Sequence, residues 1–162
     1  MQLKKVISGG QTGADQAGLY AARDSLIKTG GWAPKNWITK NGAQPDLLIS
    51  FGLVEHQSGY KARTFANVRD SDGTIRLAYN FKSPGEICTL NAIIQYKKPK
   101  LDINIPIKEK PNIVLDFINR YSISVLNIAG NTQPEKGIDV FNICYNFLMS
   151  SFELINNNRE IS

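Results

Sequence analysis

Apolar and polar positions change period several times along the 162-residue chain. Lys4 to Ser8 holds Val6 and Ile7 at the centre of a short apolar run that ends at Gly9-Gly10, the pattern of a buried strand entering a turn. From Ala14 the period becomes helical. Ala14, Ala17, Gly18, Ala21 and Ala22 predict one small-residue face, which Leu26 extends and Gly30-Gly31 terminates. Small residues on that face let a helix lie close to a sheet. "GGWAPKNW" (30–37) and "ITKNGAQPDL" after it hold Gly, Pro and Asn at loop frequency, so the chain reads here as a long irregular segment.

The second half alternates more cleanly. "GTIRLAYNF" (73–81) predicts a strand, "PGEICTLNAIIQYKK" (84–98) a turn and helix, and "PKLDINI" (99–105) a strand. "KPNIVLDFINRYS" (110–122) predicts a helix, "ISVLNIAG" (123–130) a strand, and "PEKGIDVFNICYNFLMSSFELI" (134–155) a closing helix whose aromatic residues serve a core or a subunit interface. Strands alternating with helices predict an α/β fold: one domain over 1–155, with a mainly parallel sheet and helices on both faces. The polar run 156–162 reads as a flexible tail.

Composition narrows the function classes. No stretch reaches the roughly 18 consecutive apolar residues of a membrane span, and the first residues lack the apolar centre of a signal peptide, so a cytoplasmic protein without membrane partners is expected. Cys88 and Cys144 stand far apart and read as buried thiols, and "EHQSGYK" places the single histidine, His56, in a polar loop. No directly protein-ligated metal is predicted. The net charge of +5 comes with lysines at 4–5, 96–100 and 107–110. Such an excess favours anionic partners, or else marks solvated element ends; without a continuous basic stripe and interleaved aromatics, nucleic acid is not the expected partner.

Three of the predicted strands are each followed by a Gly-bearing polar loop that leads into a helix: "SGGQTGAD", "KSPGEICT" and "AGNTQPEKG". In a parallel sheet these loops share one edge, where ligands of such sheets bind. Free backbone N–H groups and the positive end of a helix dipole would suit an anion, with Ser8 and Thr12 adding hydroxyls and Asp15 capping the helix, binding a sugar hydroxyl or holding a cation. Neither G-x-G-x-x-G nor a P-loop is present. "NVRDSDGTI" (67–75) offers Arg69 as a bidentate anion partner and Asp70 or Asp72 as contacts for hydroxyls or ring nitrogens, although Asp72-Gly73 also fits a plain turn.

"ISGGQTGADQAGL", "GGWAPK", "NVRDSDGTI" and "SVLNIAG", in this order, resemble the putative molybdenum-cofactor carrier family, part of the Rossmann-like superfamily shared with the lonely-guy phosphoribohydrolases and the DNA-processing protein DprA. The resemblance covers about residues 5–150. It implies a Rossmann-like domain that forms homo-oligomers and binds a phosphate-bearing pterin or nucleotide-like ligand. Residue by residue it carries over Gly9, Gly10, Gln11, Thr12, Gly13 and Asp15; then Trp32, Pro34 and Lys35; then Asn67, Arg69, Asp70, Ser71, Asp72 and Gly73; and finally Asn127 and Gly130. Ser83, Gly85 and Thr89 belong to the remaining loop, where the family often has Thr-Gly-Gly-Thr and this chain has Ser83-Pro84-Gly85-Glu86. Proline removes a donor there and Glu86 adds negative charge, so the second phosphate cradle is altered. The phosphoribohydrolase motif Pro-Gly-Gly-x-Gly-Thr-x-x-Glu is broken too, with Ala92 in place of its acid.

The reading that follows is a binding or carrier protein rather than an enzyme, for a phosphorylated, ring-bearing ligand such as the molybdenum cofactor or a nucleotide. Gly9 to Gly13 would cradle the phosphate, Arg69 and Lys35 supply charge, and Trp32 stack on the ring. A nucleotide- or nucleotide-sugar-processing hydrolase using Asp15, Asp70 or Asp72 is the second reading, and single-stranded nucleic-acid binding the third.

Overall fold

A computed structural model describes residues 2–160, with side chains as far as Asn158. The elements run β1 (Lys5–Ile7), α1 (Ala14–Asp24), β2 (Lys28–Ala33), β3 (Ile38–Thr39), β4 (Gly42–Ala43), α2 (Pro45–Ser50), β5 (Leu53–Glu55) and α3 (Tyr60–Arg69). They continue with β6 (Gly73–Ala78), α4 (Pro84–Tyr96), β7 (Lys100–Asn104), α5 (Asn112–Tyr121), β8 (Val125–Gly130) and α6 (Val140–Glu160). Six strands form one parallel sheet in the order β5-β2-β1-β8-β6-β7; β3 and β4 make a separate antiparallel pair. This is the expected α/β Rossmann-like domain.

Alternation along β6 shows how the layers form. Ile75 and Leu77 join the main core with Ala17 and Ala21 of α1, Phe117 and Ile118 of α5, and Leu148 and Phe152 of α6. Thr74 and Arg76, equally buried, turn to the other face. That second layer, under α3 and α4, has only a small apolar cluster of Val68, Ala92 and Ile93. Much of what it buries is polar, Arg63, Thr64, Asn67, Glu86, Thr89 and Asn127 among them.

The structure departs from the sequence reading in the first half. "KTGGWA" is strand β2, because β1 and β5 pair with it on either side. Gly30-Gly31 is therefore not the helix stop: α1 ends at Asp24, and Leu26 lies past it at φ 60 and 93% exposed while Ile27 is buried instead. The sequence reading assigns no element over residues 48–54 and 62–66, where most of α2, β5 and α3 lies; its loop stretches reach only the start of α2, the end of β5 and the start of α3. Residues 156–160, read as the start of a flexible tail, continue α6, where Asn156 Nδ2 donates to Ser25 O at 2.9 Å; Ile161 and Ser162 lie outside the described residues. Phe147, Leu148 and Phe152 are core, whereas the Phe141 and Tyr145 rings stack at 6.0 Å nearer the surface. Cys144 is buried and Cys88 half-buried.

Candidate functional site

A cavity of about 270 Å³ opens at the carboxyl edge of the sheet, where the loops after β1, β6 and β8 meet the first turns of α3 and α4. Asn131 ties these loops together. Its Oδ1 accepts the N–H groups of Tyr79 and Asn80 at 2.9 and 3.0 Å, its Nδ2 donates to Asn80 O at 3.1 Å, and its carbonyl accepts Ala14 N–H at 3.1 Å.

The loop "SGGQTGAD" is largely closed on itself. Gly10 N–H donates to Ser8 Oγ (3.1 Å), Gln11 N–H to Asp15 Oδ2 (3.2 Å) and Thr12 N–H to Gln11 Oε1 (3.0 Å); with Ser8 N–H on Gly30 O and Ala14 held by Asn131, five of its backbone donors already have protein acceptors, and those of Gly9 and Gly13 have none among the described residues. Gly13, at φ 90, sits against the Asn131–Gln133 backbone, and Gly10, at φ 74, packs on Leu48 and Leu53. Both glycines shape the turn. Thr12 is buried, and its Oγ1 has no partner among the described residues. At the start of α4 the situation is reversed: Pro84 has no N–H, and the N–H groups of Gly85 and Glu86 make no hydrogen bond among the described residues. Two donors at a helix N-terminus are therefore without a protein acceptor, on residues that line the cavity.

One face of α3 roofs the site. Tyr60, Arg63, Thr64 and Asn67 recur at i, i+3, i+4 and i+7 and all line the cavity. Arg63 is 5% exposed; its Nη1 stands 3.7 Å from Asp15 Oδ2, its guanidinium lies 4.8 Å from the Tyr60 ring centre, and its Nε has no partner among the described residues. Burial drives the Asp15 carboxyl up to about 6, against the opposing pull of Arg63 and of the Gln11 N–H. Glu86 is pushed up to about 7, again chiefly by burial, with Arg76 opposing and the negative charges of Asp15 and Asp102 adding to the rise.

Of the residues expected from sequence, Gly9, Gln11, Asp15, Asn67, Ser83, Gly85, Thr89, Asn127 and Gly130 line this cavity. Asn67 is already committed there, accepting Trp32 N–H at 2.8 Å and donating to Trp32 O at 3.0 Å. The other expected residues are placed elsewhere. Arg69 and Asp70 pair with each other at the far end of α3, at 2.7 and 3.0 Å. The Trp32 indole donates to Asp70 Oδ2 at 2.8 Å and meets His56 edge-on, so it is occupied rather than poised to stack on a ring. Asp72 Oδ2 accepts the N–H groups of Ser124 and Val125 at 2.9 and 2.8 Å, fastening the amino ends of β6 and β8 at the opposite edge of the sheet. Ser71 Oγ closes the end of α3 on Val68 O, and Lys35 starts an irregular turn away from the cavity lining. Sequence reasoning passed over Tyr60, Arg63, Glu86 as a site group, and Asn131. The polar i, i+3, i+4, i+7 face of "YKARTFAN" was the signal for the first two.

Comparison with known proteins agrees with this architecture. The model of the circularly permutated YpsA SLOG family matches residues 6–150. The crystal structure of a protein named putative molybdenum carrier protein, from Syntrophus aciditrophicus SB, is similar at 34% sequence identity and a TM-score of 0.79, covering 92% of this chain and 94% of that one. No curated protein matches the chain at a significant level. Among the described residues no group of three His, Cys, Asp or Glu side chains is placed to hold a metal ion, and no helix is long and apolar enough to cross a membrane.

Proposed function

The chain belongs to the circularly permutated YpsA SLOG family, and from that premise we propose that it is a binding or carrier protein whose cavity takes a phosphorylated, ring-bearing small molecule. The observation that carries this reading is Arg63: a buried cation whose Nε has no partner among the described residues, lining the same cavity as Gly85 and Glu86, whose N–H groups likewise have no acceptor among them. Leaving such a donor unsatisfied costs about 1–3 kcal/mol, more for a charged group, which an arriving anion recovers. The phosphate sits over Gly85 and Glu86 N–H within reach of Arg63, with Asn127 and Ser83 as further polar contacts. The loop Gly9 to Gly13 shapes the wall more than it donates. The neighbour named as a molybdenum carrier makes the molybdenum cofactor a candidate ligand, its own pterin holding the metal. A cytoplasmic homo-oligomer remains part of the proposal.

Mass spectrometry of the small molecules released from the purified protein, followed by calorimetric titration with the cofactor and with nucleoside monophosphates, tests the reading. A phosphorylated ring compound is expected, and Arg63→Ala should weaken its binding at least about tenfold, the loss of one charge-assisted contact. Absence of binding by all these compounds would sink it.

A second reading, hydrolysis of a nucleotide or nucleotide sugar, draws on two carboxyls in one cavity that titrate near neutrality, Asp15 and Glu86. Incubation with nucleoside monophosphates and chromatography decides it, released base or phosphate being its signature.

A further inference from the structure

Glu86 stands where a helix cap is expected and does not cap. Ser83-Pro84-Gly85-Glu86 has the spacing of a capping box, in which the glutamate reaches back to the first residue's N–H. Here neither half of that exchange forms: Ser83 makes no side-chain cap, and the Glu86 side chain turns inward until the residue is 2% exposed. Its nearest cation, Arg76 Nη1, is 4.0 Å from Oε2, beyond hydrogen-bonding reach. Arg76 is committed elsewhere. Its Nε and Nη2 donate to Asp102 at 2.7 Å each, its Nη1 donates to the Glu86 backbone oxygen at 3.1 Å, and Lys100 adds a further bond to Asp102 at 2.5 Å. Oε2 is left without a partner among the described residues.

The charged groups acting on Glu86 are Arg76 from β6, Asp15 from α1 and Asp102 from β7, and Tyr60 of α3 lies close enough to feel its charge. Arg76 is shared, hydrogen-bonded to Asp102 and reaching Glu86 only as an ion pair at 4.0 Å, and Arg63 stands beside Asp15, so among the described residues no cation hydrogen-bonds the Glu86 carboxylate. A buried carboxylate in that position is costly unless hydrogen-bond donors meet it. Its two oxygens in one plane match two parallel N–H groups.

Building on the binding function proposed above, we infer that Glu86 reads the ring of the ligand: its carboxylate accepts two adjacent N–H groups of an amino-oxo-pyrimidine edge, the edge shared by guanine and the pterins, and rejects rings that present an acceptor there. A cavity of about 270 Å³ suits one such ring with a single phosphate, being at the small end of ligand pockets, which run from about 300 Å³ upward. Arg63 and the open N–H groups of α4 hold the phosphate, and Glu86 sets which ring is accepted.

The test is a calorimetric comparison of guanosine, inosine, xanthosine and adenosine monophosphates on the wild-type chain and on Glu86→Gln, with neopterin monophosphate and its 2-deaminated lumazine counterpart as the pterin arm. Wild type should bind the ring bearing both donors about 10- to 100-fold more tightly than the adenosine compound, the discrimination typical of a bidentate pair. Glu86→Gln, equal in shape but offering one donor and one acceptor, should lose that preference and shift towards xanthosine monophosphate or the lumazine. Tighter binding in the guanine arm or in the pterin arm tells which ring system is the source. Equal affinity for all rings in the wild type, or a preference untouched by Glu86→Gln, overturns the role of Glu86 and leaves the binding function standing. Failure of every phosphorylated ring to bind, with Arg63→Ala changing nothing, removes the binding function and this inference with it.

Discussion

Arg63 lies across Gly9 so closely that a β-carbon at position 9 would overlap its Nη1 atom. The absence of a side chain at the first glycine of the β1 loop admits the guanidinium. Gly9→Ala must therefore displace Arg63 from Asp15, since the side chain on one partner and the backbone on the other cannot occupy the same space. We expect Gly9→Ala to lower ligand affinity about as much as Arg63→Ala does, and titration of the two variants against the same phosphorylated ligand checks the equivalence. If Gly9→Ala binds normally, Arg63 is not the anion contact.

Removing Arg63 should also change stability in a pH-dependent way. Its partner Asp15 titrates at about 6 in the folded chain, so near pH 5 the carboxyl is mostly neutral and little of the pair's attraction is present. At pH 8 Asp15 is ionised, and Arg63→Ala leaves a buried charge without its cation, a change that costs about 3–5 kcal/mol when a buried pair loses one member. Urea unfolding at the two pH values is expected to show the larger loss at pH 8. Equal losses would mean that Arg63 acts by packing on Tyr60 alone.

The "NVRDSDGTI" motif separates into two structural jobs with different consequences. Arg69 and Asp70 form an exposed pair, worth no more than about 1 kcal/mol. Asp72 holds two backbone N–H groups at the amino ends of two sheet strands, and losing both bonds should cost about 1–3 kcal/mol. Arg69→Ala should leave both ligand affinity and melting temperature near wild type, whereas Asp72→Ala should lower the melting temperature and spare affinity. A large loss of binding in Arg69→Ala would return this motif to the site.

Much of the fold was legible because Val6, Ile75, Leu77, Leu126 and Ile128 face one apolar layer, where burial and period agree. Its three loops at one sheet edge followed from the parallel topology alone. α3 escaped notice for a physical reason: its inward face carries Arg63, Thr64 and Asn67 over a polar cavity, so no apolar stripe marks the helix. β2 was hidden similarly, since Lys28, Gly30 and Gly31 have no strand preference and the strand is made by pairing with β1 and β5. The specific motifs misled where a long match mixed ligand-facing and scaffold residues. Sequence spacing places Asp15 and Asp72 in equally prominent runs, and only the direction of the strands puts one at the cavity and the other at the opposite edge.

Glu86 makes the sharpest stability prediction. Its folded-state value of about 7 is above the ordinary 4.5, so the folded chain holds this proton more tightly than the unfolded chain does. Its contribution to stability is therefore full below about pH 4.5 and is lost as pH rises towards about 7, at about 1.4 kcal/mol per unit, or on the order of 3 kcal/mol in all. Glu86→Gln removes that slope. The variant should match wild type at pH 4 and exceed it by about 3 kcal/mol at pH 8 in urea unfolding without ligand. Asp15, whose own loss falls between about 4 and 6, is unchanged in both proteins and cancels in the comparison. A variant less stable than wild type at pH 8 would show that the ionised carboxylate is held by Arg76 after all. Greater stability at pH 8 would instead mark Glu86 as a buried charge kept in the fold at a cost, one that N–H groups of the proposed ligand would offset.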